Sequence, residues 1–462
     1  MSSANVLDQQ SITRKHRRIL WASGLGIFLD GYDLSIMAVA LILLKQQWHL
    51  TPSELGALGT AALVGALVGG LFGGPIADRW GRKTIYLIDI AAFFFAALLS
   101  GFAWDAVSLI VLRFFLGLGV GADYPLSSTY MAEFLPKKSR GAAMTWIFGL
   151  WMGGALVSSI VGLLLLQVGP DAWRWMLVSG AVPAALVLWL RRNLPESPRW
   201  FLRRGRWQEA DEVVSWLAPH LNTLERQAAL GELAASMEGA RQHNWFDLFG
   251  KTYRRRTLYA AIPWFLMDVM GYAMAIFLPI MLLHLGLHSH VQALIGNAVF
   301  TASFVIGWIP LALLIDRIGR RKAQIWGFLG DAIGLGLVGA FALTGQPPFA
   351  IVAIGLIFFQ VANSFGPGNT TWIIPTELYP TELRASGHGF GTAFSRVGAA
   401  VSVFFLPIIQ AHFGVGGLLL ILAAAGLLGA ILTQILGVEM AGESLPESGA
   451  PGHDATMARR AA

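Results

Sequence analysis

Apolar runs of about 20 residues, the length a helix needs to cross the hydrocarbon core of a bilayer, succeed one another along almost all of this 462-residue chain. They occupy 19–44, 55–77, 84–103, 107–135, 141–167 and 174–190, then 257–285, 292–315, 323–343, 348–376, 386–411 and 415–437. Backbone polar groups in hydrocarbon must be satisfied internally, so such runs are either helices or the strands of a closed barrel. Barrel strands alternate in polarity over about ten residues, and these runs do not. The chain therefore reads as an all-α integral membrane protein with twelve transmembrane helices in two sets of six. Its composition, 55% hydrophobic and 13% charged, leaves no soluble alternative, because that much apolar surface cannot be hidden in a water-soluble domain.

The layout predicts an N-terminal tail at 1–18, a first bundle at 19–190, a charged central loop at 191–256, a second bundle at 257–437 and a C-terminal tail at 438–462. Cytoplasmic loops hold an excess of Lys and Arg. Of the 33 such residues, only Lys45 and Arg174 fall on the opposite side, and Arg113 and Arg396 lie inside helices. Both termini are thus expected in the cytoplasm, with the protein in the plasma membrane. The sequence pI near 9.7 reflects this topology and not a nucleic-acid partner. The chain has no cysteine, which excludes disulfides, thiolate nucleophiles and Cys-ligated metals. In the central loop, WQEADEVVSWLAPHLNTLERQAALGELAASM carries apolar residues at helical spacing among charges, as surface helices do.

The two halves repeat. DRWGRK at 78–83 returns as DRIGRR at 316–321, each after the second helix of its half, and Asp30 and Asp268 stand the same distance before these loops. EFLPKKSR at 133–140 and ELYPTELR at 377–384 share ExxPxxxR after the fourth helix. A bare topology signal needs neither an acid nor a glycine at fixed spacing. The repeated residues Asp78, Arg79, Gly81, Arg82 and Lys83, with Asp316, Arg317, Gly319, Arg320 and Arg321, are therefore expected to gate the cytoplasmic face, together with Glu133, Arg140, Glu377 and Arg384.

The twelve-helix plan, the doubled DRxGR loop and PESPRW at 195–200 resemble the major facilitator superfamily over essentially the whole chain. GADYPLSSTYMAE, WFLMDVMGY and FGPGNTTWIIPTELYPTELRASGHG look like its phosphate:proton symporter branch. DGYD at 30–33 is also similar to aromatic acid:proton symporters, and PESPRW to sugar porters. The resemblance implies two six-helix halves around a central cavity, with substrate movement coupled to protons. It also implies phosphate-binding roles for Tyr124, Trp264, Asp268 and Tyr272, a charged pair at Arg113 and Asp123, and acids at Asp30 and Asp33. Two positions depart: Trp151 stands where that branch has a glutamine, and after FGP the expected asparagine is Gly368, with Asn369 one place later.

Acids inside membrane helices mark function by default, because an ionised carboxylate in hydrocarbon is expensive. Trp264, Asp268 and Tyr272 are spaced i, i+4, i+8, placing an indole, a carboxylate and a phenol on one stripe of helix 7. An anionic substrate would be repelled by ionised Asp268 and favoured once it is protonated, so proton and anion are expected to load together. Arg113 and Asp123 are ten residues apart, about 15 Å along a helix, and need other partners. Asp30 or Asp33 is open to Arg113. Asp89 and Asp331 fall in helices 3 and 9 without a repeat relation. GKT at 250–252 lacks the glycine a phosphate loop needs five positions earlier, where Trp245 stands, and His284, His288 and His290 have no acid beside them to complete a metal site.

The expected function is a proton-coupled symporter, not an enzyme, moving a small anionic metabolite by alternating access as a monomer and without a cofactor. Inorganic phosphate is the first candidate, an organic or aromatic acid or a sugar the second, and a solute sensor without turnover the reading from another class. The predicted substrate residues are Tyr124, Trp151, Trp264, Asp268, Tyr272 and Asn369. The predicted proton-coupling residues are Asp30, Asp33, Arg113, Asp123 and Asp268.

Overall fold

The computed structural model describes residues 13–134, 137–238, 245–379 and 381–439. Five long helices open the chain: α1 (Arg14–Gln47), α2 (Pro52–Trp80), α3 (Arg82–Ser100), α4 (Ala106–Phe134) and α5 (Lys137–Leu165). The sixth span runs through Gly180, whose backbone stays in the right-handed helical region, as α6 (Ala172–Ser179) and α7 (Ala181–Arg191). Three shorter helices follow, α8 (Pro198–Leu202), α9 (Trp207–Leu217) and α10 (Thr223–Glu238). The second half has α11 (Arg254–His284), α12 (His290–Ile318), α13 (Arg320–Leu343), α14 (Phe349–Phe365), α15 (Pro367–Leu378) and α16 (Thr381–Leu436).

Among the described residues, eleven segments are long and apolar enough to cross a membrane. The last of them runs Ser386–Leu436, about 75 Å at 1.5 Å per residue, more than twice the thickness of a hydrocarbon core. It is two helices in one run. Gly414, at φ 67 and ψ 177, leaves the helical region where only glycine does so cheaply, and it falls in the gap expected between 411 and 415. The tenth span is broken as well, at Gly366, with Pro367 opening α15. Large apolar side chains such as Phe102, Val182, Leu313 and Trp104 remain exposed, as lipid-facing positions must.

The chain forms two compact units, residues 1–40 with 61–240 and residues 41–60 with 241–462. In the first, Leu29, Ile90, Phe93, Leu116 and Ala184 form a core drawn from α1, α3, α4 and α7. Gly65 and Gly69 of α2 lie on the carbonyls of Phe114 and Leu118 of α4, the close approach that small residues at spacing four allow. The central segment packs on this unit: α9 buries Ala210, Val213, Val214 and Leu217, spaced i, i+3, i+4, i+7 as an amphipathic stripe. Val213 and Leu217 join Ile19 and Tyr86, while Ala210 and Val214 meet Leu230 and Leu233 of α10. In the second unit, Tyr259, Ile374, Leu378 and Tyr379 form a core at one end of α11 and α15.

Candidate functional site

The first unit brings together the polar residues of α1, α4 and α5. Backbone contact sets their spacing: a Cβ on Gly31 would strike the Trp151 carbonyl, and one on Gly154 the Phe28 carbonyl. With α5 that close, the Trp151 indole donates to Asp30 Oδ2 at 2.8 Å, and the Tyr124 hydroxyl donates to the same oxygen at 2.7 Å. Trp151, which departs from the phosphate-symporter pattern, is therefore a donor to an intramembrane acid. Arg113 takes Asp33 of the two acids open to it, in a bidentate pair at 2.6 and 2.5 Å, with both residues buried. Breaking such a buried pair from one side costs about 3–5 kcal/mol, because the surviving charge is left without compensation.

Asp123 does not join that pair. Its Oδ1 meets Arg191 at 2.7 Å and accepts from Ser127 at 3.2 Å. Arg191 heads the expected cytoplasmic loop in the sequence, but it is the last residue of α7 and only 1% exposed. Its guanidinium stacks on Tyr86 at 3.5 Å from the ring centre and donates to the Ala22 carbonyl at 3.1 Å. Asp89 lies 3.4 Å from it, so one cation serves two buried carboxylates. The cluster rests on the backbone of α1, since a Cβ on Gly26 would occupy the space of the Asp123 carboxylate and the Arg191 guanidinium.

In the second unit the Trp264, Asp268 and Tyr272 stripe of α11 faces a matching stripe on α16: His388, Thr392 and Arg396, again at i, i+4, i+8. Arg396 donates to Asp268 Oδ2 at 3.2 Å and to the Tyr272 hydroxyl, and its guanidinium lies 4.9 Å from the Tyr272 ring centre. Two turns away, Trp264, His388 and Trp372 of α15 meet edge to face, with ring centres 5.0 to 5.9 Å apart. Asn369 is buried beside the break in the tenth span and donates to the Ser364 carbonyl at 2.6 Å, so its amide secures backbone left open by that break. Asp331 of α13 accepts from Asn363 at 3.1 Å, and its other oxygen is buried without a hydrogen bond among the described residues.

The repeated loops fold alike. Gly81 (φ 105) and Gly319 (φ 90) lie in the left-handed region, directly before α3 and α13. Each of those helices receives a carboxylate on its first backbone N–H groups. Glu196 accepts from Arg82 and Lys83 at 3.1 and 3.0 Å, and Glu439 from Arg320 and Arg321 at 2.9 and 3.1 Å. A negative charge there satisfies unpaired donors and complements the helix dipole. Arg320 also holds Glu377 bidentately at 3.0 Å, whereas Arg384 donates to the Tyr379 carbonyl. Arg79 and Arg317 are exposed. The side chains of Asp78, Glu133, Arg140 and Asp316 lie outside the described residues.

Arg396, Arg191, Glu196, Glu439, Trp372 and His388 received no role from the sequence. Arg396 had a signal there: it is a lone cation in an apolar helix, eight residues after a histidine. Arg191 had none, because a basic residue at the edge of a membrane span reads as a topology signal.

A family model described as sugar (and other) transporter matches residues 19–449. The inner membrane metabolite transport protein YgcS of Escherichia coli (strain K12) is 33% identical over 430 residues, 93% of each chain. The niacin transporter NiaP of Acinetobacter baylyi (strain ATCC 33305 / BD413 / ADP1) is 28% identical, over 97% of this chain and 100% of its own. The probable inorganic phosphate transporter 1-12 of Oryza sativa subsp. japonica is 29% identical, over 96% and 93%. Among solved structures, the proton:xylose symporter XylE bound to 6-bromo-6-deoxy-D-glucose superposes with a TM-score of 0.76 at 25% identity, covering 93% of this chain and 97% of that one.

Proposed function

Since the chain belongs to the sugar (and other) transporter family of the major facilitator superfamily, we propose that it is a proton-coupled symporter of a small organic anion, with Arg396 and Asp268 as the coupled anion and proton site. It resides in the plasma membrane with both termini in the cytoplasm, as its basic loops direct.

The observation that carries this reading is the ion pair between Arg396 and Asp268, with Tyr272 on the same guanidinium. The empty pair is neutral. An anion arriving at Arg396 without a proton would leave a net negative charge inside the membrane, which is expensive. Protonation of Asp268 frees the guanidinium, and the loaded state of neutral acid, guanidinium and anion is again neutral. Only the empty and the doubly loaded forms are then cheap to carry through an alternating-access cycle, and this is what couples the two movements. In the first unit, Arg113 and Asp33 form a second buried pair of the same kind, and Asp30 is the acid served by Tyr124 and Trp151.

Trp264, Trp372 and His388 supply faces and edges for a planar ring, which favours an aromatic carboxylate, the class to which the niacin carried by one relative belongs. Inorganic phosphate is the second reading, supported by Tyr124, Trp264, Asp268 and Tyr272 at matching positions and by the phosphate transporters among the relatives. The test is uptake into proteoliposomes of niacin, benzoate, phosphate and xylose, with and without an imposed proton gradient. Gradient-dependent accumulation of an aromatic acid is the expected result. If every solute equilibrates equally without the gradient, symport is wrong. If phosphate alone accumulates, the second reading stands.

A further inference from the structure

The second unit has a cavity of about 720 Å³ at the end of α13 opposite its DRIGRR loop. All of its lining belongs to that unit. The walls are mostly apolar, with Phe277 and Phe413 the largest side chains, and the polar lining comprises Lys45, His284, Gln346 and Gln410. Among the described residues, no carboxylate lines it. Lys45, in the last turn of α1, is half-buried, and among the described residues its ammonium has neither an acidic partner nor a hydrogen bond. His284 lies within electrostatic reach of it. Part of the rim is fixed by Gly345 (φ 140) and Gly414 (φ 67), where a Cβ would meet nothing within 4 Å. The backbone conformation alone favours glycine at these two positions of the rim.

A cation drawn partly out of water without a counter-charge is costly, and three ammonium donors in an apolar-walled space are satisfied most fully by an anionic oxygen group brought from outside. The volume falls in the range of about 300–1,000 Å³ typical of small-molecule pockets. We propose that this cavity is a binding site for an amphiphilic organic anion, its charged head on Lys45 and its apolar body against Phe277 and Phe413. The site stands apart from Asp268 and Arg396 and does not depend on the transport reading. A free organic acid and an anionic lipid share this chemistry.

Photolabelling of the full chain in phosphatidylcholine nanodiscs with 4-benzoylbenzoate tests the site. Cross-links are expected in the peptides covering 277–285 and 407–416. They should fall about tenfold in Lys45→Gln, as the loss of one charge-assisted hydrogen bond predicts, and return in Lys45→Arg. The neutral amide of the probe should label the wild-type chain only at background, a comparison that decides the matter even if Lys45→Gln folds poorly. Competition by added phosphatidylglycerol would identify a lipid headgroup as the natural occupant, and its absence a free acid. Equal labelling in Lys45→Gln, or by the neutral amide, overturns the proposal.

Discussion

Asparagine keeps the shape of Asp268 and removes its proton chemistry, so Asp268→Asn separates coupling from folding. Gradient-driven accumulation is expected to vanish while exchange of labelled for unlabelled substrate continues, as counterflow in proteoliposomes would show. Accumulation at the wild-type level would move the coupling site elsewhere. Arg396→Lys keeps the charge but loses the planar fork that reaches Asp268 and Tyr272 together. A rise in KM of about tenfold, the worth of one hydrogen bond to a charged group, is the expected outcome, and an unchanged KM would remove Arg396 from the anion site. The two residues were unequally legible. Asp268 stands out because an acid in an apolar run has few bland explanations, but its partner lies 128 positions further on, and only packing brings them together. The choice of Asp33 over Asp30 by Arg113 was equally hidden, since the two acids are three residues apart on one helix and the position of α5 decides which receives the indole.

Apolar run length foretold the transmembrane helices to within a few residues, because the membrane sets their length and leaves the backbone no other way to bond. What run length does not carry is the interior of a span. The break at Gly366 lies within a continuous apolar stretch, and the rotation of α9 that divides its stripe between the bundle and α10 depends on both neighbours. Two glycine substitutions test the packing. Gly26→Ala would drive a methyl group into the Asp123 and Arg191 pair and should sharply reduce folded protein, read as monodisperse yield in detergent. Gly74→Ala on α2, where a Cβ meets nothing within 4 Å, should be silent. Similar yields for the two would refute the close placement of that pair against α1. At the loop before α3, Glu196→Gln removes a full charge from two helix N–H donors and should cost about 0.5–2 kcal/mol, measurable as a lowered midpoint of thermal unfolding in detergent.

At the scale of the whole molecule, neutrality of both the empty and the loaded states has an electrical consequence. Uptake of a monoanion with one proton moves no net charge, so a pH gradient should drive accumulation whereas a membrane potential imposed by potassium and valinomycin at equal pH should not. Accumulation driven by the potential alone would require additional protons and would end the one-for-one scheme. The fold-level repeat was visible in the sequence through its two DRxGR loops, but the carboxylates that complete them were not, since Glu196 and Glu439 lie in dissimilar surroundings, PESPRW and GVEMAG. Their shared placement ties distant parts of the chain together. Each half draws the cap of its third helix from the segment that follows its sixth, so a chain cut directly after its last transmembrane helix would strip the first N–H groups of α13 of their carboxylate while α3 kept its own.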